Sequence, residues 1–200
     1  LHASWLLQDQ LLLVHQGRGD LLVARHGGRA ALISTNADAR VCRQAAQLAL
    51  GLGVQRYDWA VLLDPVPTAA PSCWQALSPT WLGAVDGRPV LQPGQRLESE
   101  GLVLRVIGEQ APVHELLLHG RAWVLLPDRQ SFWAWRDARF PRGGGSLWLG
   151  FVPRRQELRQ LDPVGSGAVW ISGERPRGGQ AWPGHWRASG ASGSLQSAIS

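Results

Sequence analysis

Short apolar runs occur in two groups along this 200-residue chain, and each group is followed by segments with helical periodicity. Glycine-rich segments such as Gly27-Gly28 separate the runs, which is typical of strands joined by tight turns. The predicted strands span residues 11–15, 21–25, 30–34, 58–63, 102–107, 113–118, 121–126, 146–152 and 168–172. A doubly wound parallel sheet needs strict alternation of strands and helices, so this order favours two sheets packed together with helices outside. The sequence predicts an α+β fold, an αββα sandwich.

Helical spacing of apolar residues marks three segments, and the first of them begins after Asn36 or Asp38, either of which suits an N-cap. The predicted helices span residues 38–52, 130–138 and 154–161. Beyond Gly178 the chain is rich in Gly, Ser, Ala and Trp without periodicity. We therefore divide the chain into a domain over residues 1–178 and a tail over 179–200, whose last ten residues we expect to be loose.

The basic residues are all arginine, and 20 of them against 15 acidic residues give a net charge of +5. This charge favours anionic partners through long-range attraction. The arginines are scattered, apart from local groups at residues 154–159 and 175–177, so we expect a solubilising surface rather than a phosphate track. No run approaches the roughly 18 apolar residues of a membrane span, and the chain, which has no Met, is interpreted as a piece of something longer.

Cys42 and Cys73 are too few and too far apart for a zinc ribbon, and their spacing matches no redox pair. Cys42 lies on a predicted helix and is most simply a small buried apolar residue. A single disulfide between the two cysteines is the other alternative, and the sequence leaves both open.

Tryptophan is frequent, with 11 residues, and we expect those in predicted strands to be core because each buries up to about 250 Å². These core tryptophans are Trp59, Trp123, Trp148 and Trp170. Nearer the C-terminal end, tryptophans beside arginines have the chemistry to stack bases and neutralise phosphates along a single strand. The DNA-binding candidates are Arg136, Arg139, Trp182, Trp186 and Arg187, with packing as the alternative role for most of the tryptophans.

The remaining polar residues give no catalytic pattern. We interpret His15, His26, His114 and His119 as surface or turn histidines; the last two are five residues apart and so lie on opposite faces of one strand. Asp20 follows a glycine-rich turn and is expected to brace backbone N–H groups rather than act as a base. No Gly-x-Ser-x-Gly elbow is present, so a nucleophile triad has no support.

Several segments resemble, in colinear order, one family. Residues 12–20, LLVHQGRGD, are similar to the opening strand and turn of metallo-β-lactamase domains of the ComEC type, with Gly17, Gly19 and Asp20 matching. The other similar segments are AALISTN at 30–36, GVQRYDWAVL at 53–62, RAWVLLPD at 121–128, AVWISG at 168–173, and residues 182–185. The resemblance implies the metallo-β-lactamase type of αββα sandwich. It also implies the extracytoplasmic domain of a bacterial competence protein, a polytopic membrane protein that passes single-stranded DNA into the cell.

The resemblance places a His-rich metal loop after the strand at 58–63, where this chain has Asp64 and then Pro65, Val66, Pro67, Thr68, Ala69 and Ala70. Zinc needs three or four side chains with lone pairs, and Val, Pro and Ala offer none. The family's bridging Asp matches Asp128, its terminal His matches His185, and its His-His-Gly segment falls at 152–155, which contains no His. The residual metal candidates are therefore Asp64, Asp128 and His185, and we expect neither a bound metal nor a catalytic residue.

These observations predict a pseudoenzyme, a non-catalytic domain that acts as a scaffold or single-stranded DNA guide in a DNA-uptake protein. Its place is the cell membrane, on the extracytoplasmic side, and its partners are single-stranded DNA and a membrane channel portion upstream of Leu1. No small-molecule cofactor is expected. One alternative is a residual metal-dependent hydrolase or phosphodiesterase, nuclease-like, with zinc on the three candidates. Another is a decayed binding module with no uptake role.

Overall fold

The computed structural model describes residues 9–17, 19–65, 71–84, 90–107, 113–138, 145–161, 167–175 and 183–199. The predicted metal loop at residues 66–70 and the DNA-binding candidates Arg139 and Trp182 lie outside these residues.

The strands form two sheets. The first sheet consists of β1 (Asp9–Gln16), β2 (Gly19–His26), β3 (Arg29–Ser34), β4 (Trp59–Pro65), β5 (Trp81–Ala84) and β13 (Ser194–Ile199), in the order β13-β1-β2-β3-β4-β5. The second consists of β6 (Arg96–Ser99), β7 (Leu102–Val106), β8 (His114–Leu118), β9 (Arg121–Leu126), β10 (Ser146–Leu149), β11 (Val169–Ile171) and β12 (Trp186–Ala188), in the order β12-β11-β10-β9-β8-β7-β6. The helices are α1 (Ala39–Gly51), α2 (Pro71–Leu77), α3 (Arg129–Asp137), α4 (Arg155–Leu161) and a 3₁₀ helix at Gly190–Ser192.

Parallel pairing gives the sandwich two distinct ends. β3, β4 and β5 are parallel in the first sheet, and β9, β10, β11 and β12 are parallel in the second. We call the end where these strands finish the carboxyl end, and the opposite end the amino end. Parallel strands need crossover connections, which place α1, α3 and α4 on the outer faces. The carboxyl end therefore collects the loops that follow β3, β4, β9, β10 and β11.

Three apolar clusters fill the layers. The first lies between the two sheets and contains alternate residues of strands from both, including the fully buried Trp148. The second lies between the first sheet and α1 and α2, and the third between the second sheet and α3 and α4. Helix, sheet, sheet and helix thus follow in four layers, which confirms the α+β fold class and the αββα sandwich expected for the metallo-β-lactamase type. Trp59, Trp123 and Trp170 are buried in the first cluster, as the sequence indicated.

The C-terminal segment is not a loose tail. β12 continues the second sheet beside β11, and β13 pairs with β1 in antiparallel register from Asp9↔Ile199 to Val14↔Ser194. Without β13, the backbone groups on that side of β1 would form an exposed sheet edge, which is a liability for pairing with other chains. The sheets therefore extend to Ile199, past the predicted domain boundary at residue 178.

The two cysteines form a disulfide that joins α1 to α2. Cys42 and Cys73 have Cα atoms 6.3 Å apart, within the usual range for a bridge. Of the two alternatives that the sequence left open, the structure has the disulfide. Both cysteines lie near the helix ends that face the carboxyl end, so the bridge fixes the two helices there. Among the described helices, none combines the length and the hydropathy needed to cross a membrane.

Candidate functional site

The carboxyl end is the place where the resemblance puts a metal centre, and two of the three residual candidates lie there. Asp64 is at the end of β4 in the first sheet, and Asp128 follows β9 in the second. Burial and then the nearby charge of Asp128 raise the pKa of Asp64, so the two carboxyl groups interact across the gap between the sheets. The structure therefore brings together two of the predicted oxygen donors.

Asp128 has a structural task of its own. Its side chain accepts a hydrogen bond from the backbone N–H of Ser131 at 2.7 Å, and the Ser131 hydroxyl oxygen accepts from the backbone N–H of Asp128 at 3.3 Å. This reciprocal arrangement is a capping box that starts α3. The presence of an Asp at position 128 is thus explained by the helix terminus, with no metal required.

His185 lies at the other end of the sheet. The parallel register of β9 to β12 shows this. Leu126, Leu149, Ile171 and Ala188 lie side by side across these four strands, at one level of the sheet. Asp128 lies two positions beyond this level and His185 three positions before it, so they are separated by roughly 16 Å along the strands. The His185 ring instead accepts a hydrogen bond from Trp186 Nε1 at 3.1 Å.

The described side chains at the carboxyl end do not fit the metal centre that the resemblance implies. Zinc needs three or four convergent donors. Among the described residues, Asp64 and Asp128 belong to no set of three donors, and His15 and Asp20 at the same end are bonded to each other. Residues 66–70 add no His, Cys, Asp or Glu to the sequence. Among all described residues, the set of three such side chains with ligand atoms within 4.8 Å of one another is Asp9, His26 and His119, at the amino end. Asp64, Asp128 and His185 do not form such a set.

A chain of polar side chains instead joins the two sheets at the carboxyl end. The Trp148 indole donates to the Ser172 hydroxyl at 3.0 Å, and Ser172 is in turn hydrogen-bonded to the Asp20 carboxyl group. Asp20 also binds His15 Nδ1 at 2.7 Å. We call these four residues the polar chain. No sequence pattern indicates the polar chain, because Ser172 is an ordinary serine at a strand end and only the packing of the sheets places it beside Asp20.

The contacts of the polar chain link the first sheet to the second. Burial raises the pKa of Asp20, although its hydrogen bonds to His15 and Ser172 act in the opposite direction. Ser172 is bonded to the Asp20 carboxyl group and to the Trp148 indole, and the His15 imidazole bonds Asp20 rather than Ser172, so the described contacts do not form a Ser–His nucleophile pair. Asp20 was expected to brace backbone groups, and this was wrong, because its carboxyl group binds side chains from β1 and the end of β11.

The loop that follows β10, where the resemblance predicted a His-His-Gly segment, is held by the buried carboxylate of Glu157. Glu157 accepts from the backbone N–H of Arg154 at 2.6 Å and from Arg129 Nε at 3.0 Å. Arg129 also donates to the Val152 carbonyl at 3.0 Å. These bonds fix the loop and leave Arg154 and Arg155 exposed beside it.

The three DNA-binding candidates that the structure describes differ in their exposure and contacts. Arg136 donates two hydrogen bonds to Asp137, at 2.7 and 2.9 Å, so its charge is already paired. Trp186 is 6% exposed and packs in the cluster under α3 and α4, so the prediction that it stacks bases was wrong. Arg187 is exposed on the edge strand β12, so it stays a candidate for DNA binding.

His114 departs from the expectation of a surface or turn histidine. It begins β8 and, like Leu116 and Leu118, points into the layer between the sheets, where it is 5% exposed. Neither ring nitrogen has a hydrogen-bond partner within the described part of the chain. Burial lowers the pKa of His114 to about 4. His119, by contrast, lies in the turn after β8, as expected.

Comparisons with known proteins concern the fold. No protein-family model matches the sequence, and a search of curated proteins finds no match. Among solved structures, the metallo-β-lactamase fold protein YhfI from Bacillus subtilis is 13% identical with a TM-score of 0.44, over 82% of this chain and 96% of YhfI. A diphosphatase of the PhnP family is 12% identical with a TM-score of 0.41, over 76% of this chain and 71% of its own. Zn²⁺-bound PqqB from Methylobacterium extorquens is 10% identical with a TM-score of 0.43, over 79% and 76%.

Proposed function

We propose that this chain is a non-catalytic domain of the metallo-β-lactamase type that holds or guides single-stranded DNA as part of a DNA-uptake membrane protein. The observation that carries the non-catalytic part is the donor set at the carboxyl end. Asp128 starts a helix, Asp64 lies beside it, and the third candidate, His185, belongs to the opposite end. Two carboxylates on which no described imidazole converges are a poor zinc site.

The DNA part of the proposal rests on exposed arginines. Arg154, in the loop that Glu157 fixes, and Arg155, which begins α4, are exposed, and Arg40 lies in the first turn of α1 at the same end of the sandwich. The net charge of +5 adds long-range attraction for a polyanion. Because Trp186 is buried, this proposal replaces base stacking at that residue with phosphate contacts by the arginines.

The disulfide supports the proposed location. Disulfides persist in oxidising compartments and are rare in the cytosol. The Cys42–Cys73 bridge therefore fits the extracytoplasmic side of a membrane. The DNA-uptake role and the channel portion upstream of Leu1 are proposed from the colinear resemblance of the sequence.

Binding of a fluorescently labelled oligothymidylate, measured by anisotropy over a range of salt concentrations, tests the proposal. We expect affinity to fall with salt, since phosphate neutralisation releases counterions. The double variant R154A/R155A should reduce the slope of log K against log salt by about 1.4, because each single-strand contact contributes about 0.7. The control is R29A/R56A, which removes two exposed arginines from the amino end, one of them, Arg29, paired with Asp58 at 3.4 Å.

Two results would count against the proposal. If binding does not depend on salt, or if R29A/R56A reduces the salt slope as much as R154A/R155A does, the carboxyl end is not the DNA-binding surface. If the oligonucleotide is hydrolysed in the presence of zinc or manganese, and D64N/D128N abolishes this hydrolysis, the chain is a metal-dependent hydrolase and the non-catalytic proposal is wrong.

A further inference from the structure

Three side chains with metal-binding chemistry converge at the amino end, far from the polar chain and from Asp64 and Asp128. They are Asp9, His26 and His119, and one ligand atom from each lies within 4.8 Å of the other two. Asp9 begins β1 and His26 ends β2, whereas His119 belongs to the turn between β8 and β9. The cluster therefore joins the first sheet to the second.

Strand register explains the first pair. In the antiparallel β1–β2 pair, Gln10 lies opposite Arg25, so Asp9 and His26 occupy the next opposed positions. Directly opposed side chains in an antiparallel pair are close enough to bond. His26 Nδ1 and Asp9 Oδ1 are 2.6 Å apart. The two side chains are only 18% and 13% exposed, so the contact is largely shielded from water.

His119 reaches the same carboxylate from the other sheet. Its Nδ1 is 3.6 Å from the second oxygen of Asp9, and its ring centroid is 4.8 Å from that of His26. Asp9 thus has one carboxylate oxygen toward each imidazole. His119 is the exposed member, at 64%, which leaves one side of the cluster open to solvent.

The backbone around the cluster is unusual in two places. Leu118 pairs with Arg121, so His119 and Gly120 form a two-residue turn, and both have positive φ, 48° and 76°. Such a turn favours Asn-Gly, and a histidine in its first position is conformationally less favourable. At Gly101, a side chain would meet the His26 ring, with Cδ2 only 2.0 Å from the added Cβ. A turn histidine and a bare glycine together allow both rings to approach Asp9.

The spacing of the donors fits one ion after a small adjustment. Ligands of a tetrahedral zinc ion, at about 2.0–2.1 Å from the metal, lie about 3.4 Å from one another. The His119–Asp9 distance of 3.6 Å is already close to this value, and the His26–Asp9 distance of 2.6 Å needs to lengthen by less than about 1 Å. The ligand atoms of the two imidazoles lie within 4.8 Å of each other and need to approach by at most about 1.4 Å. Two imidazoles and one carboxylate are a donor set that suits zinc.

We propose that Asp9, His26 and His119 form a binding site for a divalent transition cation, with zinc as the ion of best fit, and that the bound ion ties the two sheets together at the amino end. Two ligands come from the first sheet and one from the second, so binding requires the sheets to be packed. The open side at His119 leaves a fourth position for water or for a ligand from another molecule.

Zinc titration of the untagged, chelator-treated protein by calorimetry tests this site. We expect one zinc per chain and a rise in Tm with zinc, because an ion that binds the folded state stabilises it. H26Q, D9N and H119N should each weaken zinc binding at least about tenfold, the smallest effect usual for a lost metal-site interaction. H119N is the sharpest variant, since asparagine suits the turn and the fold is retained. Far-UV circular dichroism of each variant checks the fold.

Matched controls keep the proposal separate from the proposed function. H15Q and D64N/D128N remove an imidazole and two carboxylates at the carboxyl end and should leave zinc affinity unchanged. Co²⁺ added in place of zinc should give visible absorption bands that H119N removes. Absence of saturable zinc binding, or zinc binding that H26Q and H119N leave intact, would overturn the site; loss of zinc binding in D64N/D128N would assign the ion to the carboxyl end instead.

Discussion

The two ends of the sandwich use similar side chains for opposite purposes. At the carboxyl end, Asp128 caps a helix and Asp20 is bonded to His15 and Ser172, so the acidic groups are used in support. At the amino end, one carboxylate faces two imidazoles that come from different sheets. In this αββα sandwich, the described side chains that converge with metal-binding chemistry lie at the amino end, and the acidic groups described at the carboxyl end do not form such a set. Function belongs to a site, and the fold alone does not determine it.

The disulfide provides the largest expected effect on the carboxyl end. Replacing both Cys42 and Cys73 by alanine removes a closed loop of 31 residues, which in the chain-entropy estimate costs about 3–4 kcal/mol of unfolding free energy. Urea denaturation measures this loss. A much smaller loss would show that the two helices are held there by packing alone. The same variant should keep its zinc affinity, because the disulfide lies away from the amino end.

His114 makes the layer between the sheets sensitive to acid. With a folded pKa of about 4, below that of an exposed histidine, the unfolded chain binds one more proton between pH 4 and about 6.5. Stability is therefore unaffected above pH 6.5 and falls as the pH decreases through that window, by roughly 3 kcal/mol in total. His114→Leu should remove this part of the acid loss, as measured by urea denaturation at pH 7, 5.5 and 4. The control is His185→Gln, at an exposed ring; parallel pH curves for wild type and His114→Leu would contradict the assignment.

The polar chain gives a moderate effect. Ser172→Ala leaves the Trp148 indole without its partner and removes a donor from Asp20, which should cost about 1–3 kcal/mol. Ser192→Ala, at an exposed hydroxyl, is the matched control and should have little effect. Equal Tm values for the two variants would show that the polar chain does not hold the sheets together.

Asp128 offers the smallest effect and the clearest distinction between a cap and a metal ligand. Asp128→Ala should cost about 1 kcal/mol, and Asp128→Asn should cost almost nothing because asparagine caps helices as well as aspartate. Thermal denaturation of the two variants measures this difference. If Asp128→Asn is as destabilising as Asp128→Ala, the carboxylate charge matters in a way that a helix cap does not explain.

Much of the fold was predictable from the sequence, because it depends on local pattern. Alternation and glycine turns marked most strands. Of the two N-cap candidates for α1, Asn36 and Asp38, it is Asp38 that accepts from the Val41 N–H. Trp59, Trp148 and the other strand tryptophans are core. β13 was missed because an edge strand of sequence SLQSAI has little apolar signal and is stabilised by pairing with β1.

The sites were harder to predict, because they depend on which strand ends lie at the same end of the sandwich and on how the two sheets pack. The sequence alone shows that residues 66–70, after β4, contain no His, Cys, Asp or Glu to bind a metal, since this depends only on residue types. The separation of His185 from Asp128 required the register of β9 to β12. The convergence of Asp9, His26 and His119 required the packing of two sheets, which no spacing along the chain encodes.

Anomalous scattering at the zinc absorption edge, from crystals of the zinc-loaded protein, tests the central claim most directly. We expect one peak at about 2.0–2.1 Å from side-chain atoms of Asp9, His26 and His119. A peak between Asp64 and Asp128, with none at the amino end, would contradict it.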